Sequence, residues 1–164
     1  MSYSIFISIS QQTLTVISNE QNSAVQPRCY SISSGLNGVG CEKSSGKTPL
    51  GLHQIRAKIG YNVPINTVFI GRRATGEIYN ENLAASHPQR DWILSRILWL
   101  SGKEIGVNRL GNVDSMQRYI YIHGTPDSEP MGKPLSHGCI RMRNDDLIEL
   151  FDLIEPGTEV MITP

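Results

Sequence analysis

The sequence lacks an excess of either charge, a long apolar run, and enough cysteine for a disulfide framework. Its 15 basic and 15 acidic side chains cancel to a formal net charge of zero, with no basic block longer than the pair Arg72-Arg73. Neither a nucleic-acid duplex nor an anionic membrane surface therefore finds an electrostatic footprint. The longest apolar stretch, Ile93 to Leu100, is interrupted by Ser95 and Arg96, far short of the roughly 20 residues a membrane helix needs. No nucleic acid and no membrane is expected as a partner. The opening residues Met1 to Ser10 lack the basic segment and small-x-small cleavage site of a secretory leader. The expected location is the cytoplasm, or the periplasm if a leader has been removed. Cys29, Cys41 and Cys139 are odd in number and irregularly spaced, which predicts at least one free thiol.

What is present is enough for one ordinary domain over residues 1–164, a size that buries roughly 70% of the surface its unfolded chain exposes. Ile5, Ile7 and Ile9 alternate with Ser4, Phe6, Ser8 and Ser10, the period-two pattern of a half-buried strand. Thr13–Ile17, Arg28–Ser33, Gly51–Arg56, Thr67–Gly71, Arg118–His123 and Thr158–Thr163 read as further strands, separated by turn formers such as Thr48-Pro49 and Pro156-Gly157. Two segments read as helix. Arg90–Leu100 places Trp92, Leu94, Ile97, Leu98 and Leu100 on one arc, ended by Ser101-Gly102. Asp145–Ile154 has Asn144 as N-cap, two aspartates for the positive end of the dipole, and Leu147, Ile148, Leu150 and Phe151 facing inward. Residues 71–114 hold few strand signals and read as an excursion from the sheet. The expected fold class is mainly β with two helices.

Two familiar sites fail on inspection. Gly40 and Gly46-Lys47-Thr48 suggest a phosphate-binding loop, but five residues separate the glycines where four are needed. Pro49 also disfavours the helical start such a loop requires. His137 and Cys139, with His123, Cys41 and His53 elsewhere, show none of the repeated short spacings of a structural zinc site. No metal and no cofactor is expected. His53, on a predicted strand, is either a solvent-side residue or part of a groove lining, and is carried forward as a candidate substrate contact.

The informative segments are Tyr119-Ile-Tyr-Ile-His123-Gly124-Thr125-Pro126 and Gly132-Lys-Pro-Leu-Ser136-His137-Gly138-Cys139-Ile140-Arg141-Met142. A strand runs into a histidine, and a glycine turn presents a cysteine. A thiol nucleophile needs a base within hydrogen-bond reach, a third group to fix the imidazole tautomer, and N–H donors for the developing oxyanion. Alternation puts His123 on the face of Tyr119 and Tyr121. Gly138 allows close backbone approach, so the N–H groups of Gly138 and Cys139 are the candidate oxyanion donors. The competing reading of Cys139 is a buried small hydrophobe.

His123-Gly124-Thr125, fifteen intervening residues from His123 to Cys139, and Ser136-His137-Gly138-Cys139-Ile140 resemble the signature of the L,D-transpeptidase catalytic domain, the YkuD family. Lys47-Thr48-Pro49-Leu50-Gly51 resembles that family's threonine-proline-x-glycine lead-in to a strand, and Pro156-Gly157-Thr158 its closing turn. The resemblance covers most of the chain and is weakest over residues 71–114. It implies a β-sandwich that acts on peptidoglycan stem peptides at the bond between an L-centred diamino acid and terminal D-alanine. Cys139 would be the nucleophile and His123 its base, held as a thiolate–imidazolium pair, with the Gly124 carbonyl orienting the ring. His137 would shape the loop and oxyanion hole, and Ser136 and Tyr121 would support by hydrogen bonding. Arg141 stands where many members have asparagine; it suits either carboxylate capture from substrate or a surface salt bridge. Water as acceptor makes the enzyme an L,D-carboxypeptidase of soluble muropeptides, the expected activity here. A second stem or a D-amino acid makes it a transpeptidase, and a silent peptidoglycan-binding module is the alternative from another class.

Overall fold

In the computed structural model, which describes residues 1–164, the chain opens with a hairpin, β1 (Tyr3–Ser8) and β2 (Thr13–Ser18), followed by β3 (Arg28–Ser33). Then come β4 (Gly51–Ile59), β5 (Thr67–Ile70), β6 (Arg73–Ile78), a short helix α1 (Glu81–Ser86) and β7 (Ile93–Gly102). The chain closes with β8 (Tyr121–Thr125), β9 (Ile140–Arg143), α2 (Asn144–Leu153) and β10 (Glu159–Thr163). Strands pair in the order β4-β10-β1-β2-β3-β9-β8-β7, and β7 pairs back onto β4, so one continuous ladder closes on itself. It encloses a core of 19 buried apolar residues. Two neighbouring pairs are parallel, β1 with β10 and β8 with β9. The mainly β class is as expected, and the alternation in β1 decides its facing: Ile5 and Ile7 are buried while Phe6 lies exposed.

The segment expected as a helix from Arg90 is instead β7, and Ser101-Gly102 lies within the strand and terminates nothing. A short apolar run suits either a helix or a strand buried on both faces, and period alone does not separate them. Here the neighbours decide. One edge of β7 pairs with β8, while the other is shared by β5 at its start and β4 along its second half. The 71–114 segment is thus no excursion, because it contains the central strand β7. What the sequence reading missed within it, β6 and α1, has little to signal it. Every residue of β6 except Glu77 is exposed, and α1 buries none.

A register shift in the β7–β8 pairing falls between Leu94 and Ile97, where Ser95 adopts φ 73°, the mark of a bulge that redirects side chains. Ser95 Oγ accepts from the Asn66 N–H at 2.9 Å and donates to Asn144 Oδ1 at 2.8 Å. Asn144 Nδ2 donates to Asn66 Oδ1 at 2.9 Å. Asn144 is therefore not the cap of α2: it is the first helical residue, turned inward, and Arg143 at the cap position makes no side-chain capping bond. Leu147, Leu150, Phe151 and Ile154 join the central core. The strand expected over 118–123 starts only at Tyr121, and Tyr119 sits outside it with φ 56°.

Replacing Asn144 by alanine leaves Ser95 and Asn66 without their buried partner. Urea denaturation is expected to show a loss of about 1–3 kcal/mol; a loss below about 0.5 kcal/mol, the scale of an ordinary surface change, would contradict that role.

Candidate active site

The site is built on the parallel pair β8–β9. Ile122 and Ile140 are register partners, fully buried in the core, so alternation sends Tyr121, His123 and Thr125 to the opposite face of β8. In the same register His123 lies beside Arg141, which brings Cys139, just before β9, level with Tyr121. The Tyr121 N–H donates to Cys139 Sγ, and the thiol donates to the Tyr119 carbonyl, both at 3.3 Å. His123 is almost fully buried, and its Nδ1 lies 2.7 Å from the Gly124 carbonyl oxygen. A carbonyl only accepts, so Nδ1 carries the proton and Nε2 keeps its lone pair. Gly124 permits this packing: a Cβ there would collide with Asn144 Oδ1 and the Leu94 carbonyl oxygen.

The turn that presents the cysteine is braced from several sides. Ser136 Oγ donates to the Cys139 carbonyl at 2.6 Å and accepts from the Gly138 N–H at 3.1 Å. Gly138 has φ 125°, and a Cβ on it would meet the Lys47 carbonyl oxygen at 3.0 Å, so glycine is required. Its carbonyl accepts from Thr48 Oγ1 at 2.9 Å, and Thr48 Oγ1 accepts in turn from the Gly35 N–H at 2.8 Å. Arg118 ties down the same loop by donating to the Lys47 and Gly40 carbonyls. The Lys47-Thr48-Pro49 motif thus buttresses the cysteine turn. The Gly138 N–H is already engaged by Ser136, which corrects the expected oxyanion pair. The N–H groups of His137 and Cys139 make no hydrogen bond within the protein and are the available donors.

Burial pushes the Cys139 thiol up to about 12, only partly opposed by the Tyr121 N–H. Burial likewise pushes His123 below the ordinary histidine range. Both shifts run toward the neutral thiol and the neutral imidazole, the direction opposite to the expected ion pair. Desolvation in this apolar pocket disfavours both charged forms.

Asp91 was not anticipated, because it lay at the start of a supposed helix. Its Oδ1 lies 3.0 Å from Arg141 Nη2 and its Oδ2 3.2 Å from His137 Nδ1. Burial raises the Asp91 carboxyl, but the attraction of His123, Arg141 and His137 in their charged forms outweighs it and holds the group below the usual carboxylate range. Arg141 also reaches Glu129 at 3.5 Å. Its guanidinium is occupied by two protein carboxylates, the salt-bridge reading of this residue, and capture of a substrate carboxylate is not what it is arranged for. His53 is likewise corrected. It is completely buried in β4, with Nδ1 3.0 Å from the Gly51 carbonyl oxygen and Nε2 2.8 Å from Ser115 Oγ, and it lines no groove.

Two cavities flank His137. One, of about 280 Å³, is lined by Lys43, Arg118, Tyr119 and Cys139; the other, of about 230 Å³, by Asp91, Trp92, Thr125 and Arg141. The largest cavity, about 530 Å³ beside Met1 and Glu155, is lined by no cysteine and no histidine, so chemistry and not size marks the site. Cys29 and Cys41 are unpaired thiols. No group of three or more histidine, cysteine, aspartate or glutamate side chains is placed to hold a metal ion, and no helix is long and apolar enough to cross a membrane.

Residues 2–162 match the model of the L,D-transpeptidase catalytic domain, YkuD. The chain belongs to this family. Among curated YkuD relatives, the putative L,D-transpeptidase YqjB of Bacillus subtilis is 55% identical over 42 residues, 26% of this chain and 24% of its own length. The putative L,D-transpeptidase YkuD of the same organism is 51% identical over 41 residues, 25% of each chain. The matched stretch is thus about a quarter of each relative. Among solved structures, an L,D-transpeptidase from Mycobacterium smegmatis superposes with a TM-score of 0.56 at 18% identity, over 99% of this chain and 59% of that one. Bd1075 of Bdellovibrio bacteriovorus gives 0.58 at 18% identity, over 98% and 47%. These two likenesses show the YkuD fold.

A neutral resting thiol has a direct signature. With iodoacetamide at about pH 7.5, exposed Cys29 is expected to alkylate faster than Cys139, whose rate should keep climbing past the ordinary thiol pKa of about 8.5. Peptide mapping that finds Cys139 reacting first, with its rate already level near neutral pH, would contradict the neutral pair.

Proposed function

We propose that this chain catalyses cysteine-dependent acyl transfer on peptidoglycan stem peptides, cleaving the bond between the L-centre of a diamino acid and terminal D-alanine. The observation that carries this reading is the fixed tautomer of His123: the Nδ1–Gly124 bond leaves Nε2 with a free lone pair, on the face of β8 that it shares with Tyr121, the register neighbour of Cys139. Cys139 attacks the scissile carbonyl carbon as His123 Nε2 takes the thiol proton, so no thiolate has to persist in the free enzyme. The oxyanion that forms is held by the N–H groups of Cys139 and His137, where two such donors contribute most of the stabilisation in acyl transfer. The imidazolium returns its proton to the leaving amine, D-alanine departs, and a thioester on Cys139 remains. Asp91 stands by as the charge that favours the transient imidazolium. Ser136 and Gly138 position the turn, Tyr121 holds the sulfur through its N–H, and Arg141 orients Asp91.

Water attacking the thioester makes the protein an L,D-carboxypeptidase that trims soluble muropeptides, proposed here as a cytoplasmic recycling step. A second reading is transpeptidation or exchange of the terminal D-residue, for which the second cavity, sharing His137 with the one that holds Cys139, offers room for an amine acceptor. It is also supported by the names of the curated relatives.

Mass spectrometry of a disaccharide tetrapeptide separates the two fates. Loss of D-alanine without any acceptor, abolished in Cys139→Ala, supports hydrolysis; product only with an added amine supports transfer; no product in either condition would overturn acyl transfer and leave a binding module. Because the working form has both groups neutral, kcat/KM should hold level from below the ordinary histidine pKa of about 6.5 up past about 8.5. The acid limb reports His123 protonation. A sharp fall between about pH 7 and 6 would contradict the lowered histidine.

A further inference from the structure

The β5–β6 hairpin ends in a two-residue turn, Gly71-Arg72, framed by the register pair Ile70 and Arg73. Both turn residues have positive φ, 57° and 65°. Glycine accepts this freely, whereas arginine in the left-handed region is uncommon. Backbone strain of this kind persists only where the surroundings hold it, and here they hold the side chain. The Arg72 guanidinium carbon lies 4.8 Å from the centre of the Trp99 ring and 4.7 Å from that of Tyr119. Nη1 donates to the Tyr121 hydroxyl at 3.0 Å. The cation is therefore fixed by two rings and a phenol.

Those aromatic residues also hold the nucleophile. Trp99, Tyr121 and Cys139 pack in one apolar cluster, and the Tyr119 carbonyl and Tyr121 N–H are the two hydrogen-bond partners of the sulfur. No carboxylate of the protein answers Arg72. Arg28, Arg90 and Arg141 each pair with an aspartate or glutamate, while the groups acting on Arg72 are tyrosines alone. A guanidinium locked against aromatic faces, with donors left over and no counter-charge, is arranged for a planar anion.

We propose that Arg72 binds the terminal carboxylate of the peptide whose acyl group passes to Cys139. The inference rests on the acyl-transfer reading above and names what selects the substrate's end. Arg72 anchors the D-residue carboxylate, which lies a few bonds from the scissile carbonyl. Stacking removes the side-chain freedom that binding would otherwise have to freeze. Arg141, by sequence the other candidate, is occupied by Asp91 and Glu129.

The test is a substrate–mutant cycle. A stem tetrapeptide ending in D-alanine is compared with the same peptide ending in D-alanine amide, using the wild-type protein, Arg72→Ala and Arg72→Lys. For wild type, amidation should lower kcat/KM by about 10- to 100-fold, the scale of a charge-assisted hydrogen-bond pair. Arg72→Ala should lose a similar factor on the acid and be indifferent to amidation, with Arg72→Lys in between. The proposal is overturned if Arg72→Ala slows both peptides equally, or if amidation still matters in that variant. Calorimetric binding of both peptides to Cys139→Ala, with and without Arg72→Ala, reads the same preference without turnover. A preference for the acid lost with Arg72, in a protein that cleaves neither peptide, keeps the carboxylate site and overturns the reaction. No preference in binding overturns the site.

Discussion

The parallel pairing of β8 with β9 is the constraint on which the site depends. Ile122 against Ile140, both inaccessible to solvent in the main core, locks the register, and a slip of one residue would turn every side chain of β8 to the other face. With the register locked, His123 stands beside Arg141 and the cysteine turn arrives level with Tyr121. β7 flanks β8 on its other edge, and its bulge at Ser95 leads through Asn144 to the first turn of α2. Gly124 is pressed against the same Asn144. The histidine's tautomer, the placement of the thiol and the packing of the last helix are consequences of one strand pair and its neighbours.

That rigid setting bears on the proposed chemistry, in which Cys139 is the nucleophile although burial pushes its thiol up. Inside an apolar cluster neither a thiolate nor an imidazolium is favoured alone, and the charges become worthwhile only together with a carbonyl carbon to attack and N–H donors to receive the oxyanion. The ion-pair network of Asp91, Arg141, His137 and Glu129 lies beside the histidine, through Arg141. Its role is orientation and a standing negative charge, because its cations are already matched. Arg72, among Trp99, Tyr119 and Tyr121, has no carboxylate partner.

Much of this was legible in the sequence. Alternation found β1, β2 and β3 because each has one face in the core and one in water, and the spacing from His123 to Cys139 located the site since both belong to one strand–turn–strand unit. β7 was misread because it is buried on both faces, which erases the alternation and leaves an apolar run of helical length. His53 was misassigned and the two readings of Arg141 stayed open for a shared reason: the partners, Ser115 in one case and Asp91 with Glu129 in the other, are brought in only by the fold. Arg72 was noted only as half of a basic pair. Its meaning lies in rings contributed from Trp99 and Tyr119, which meet it only once β5, β7 and β8 are assembled.

The central claim is that acyl transfer passes through a thioester on Cys139. Acid quench of the enzyme within the first turnovers of a stem tetrapeptide, followed by peptide mapping by mass spectrometry, tests it most directly. The account predicts a stem tripeptide acyl group on the peptide that contains Cys139, released by mild base, with Cys29 and Cys41 unmodified. Turnover accompanied by no adduct on any cysteine, and unimpaired in Cys139→Ala, would contradict it.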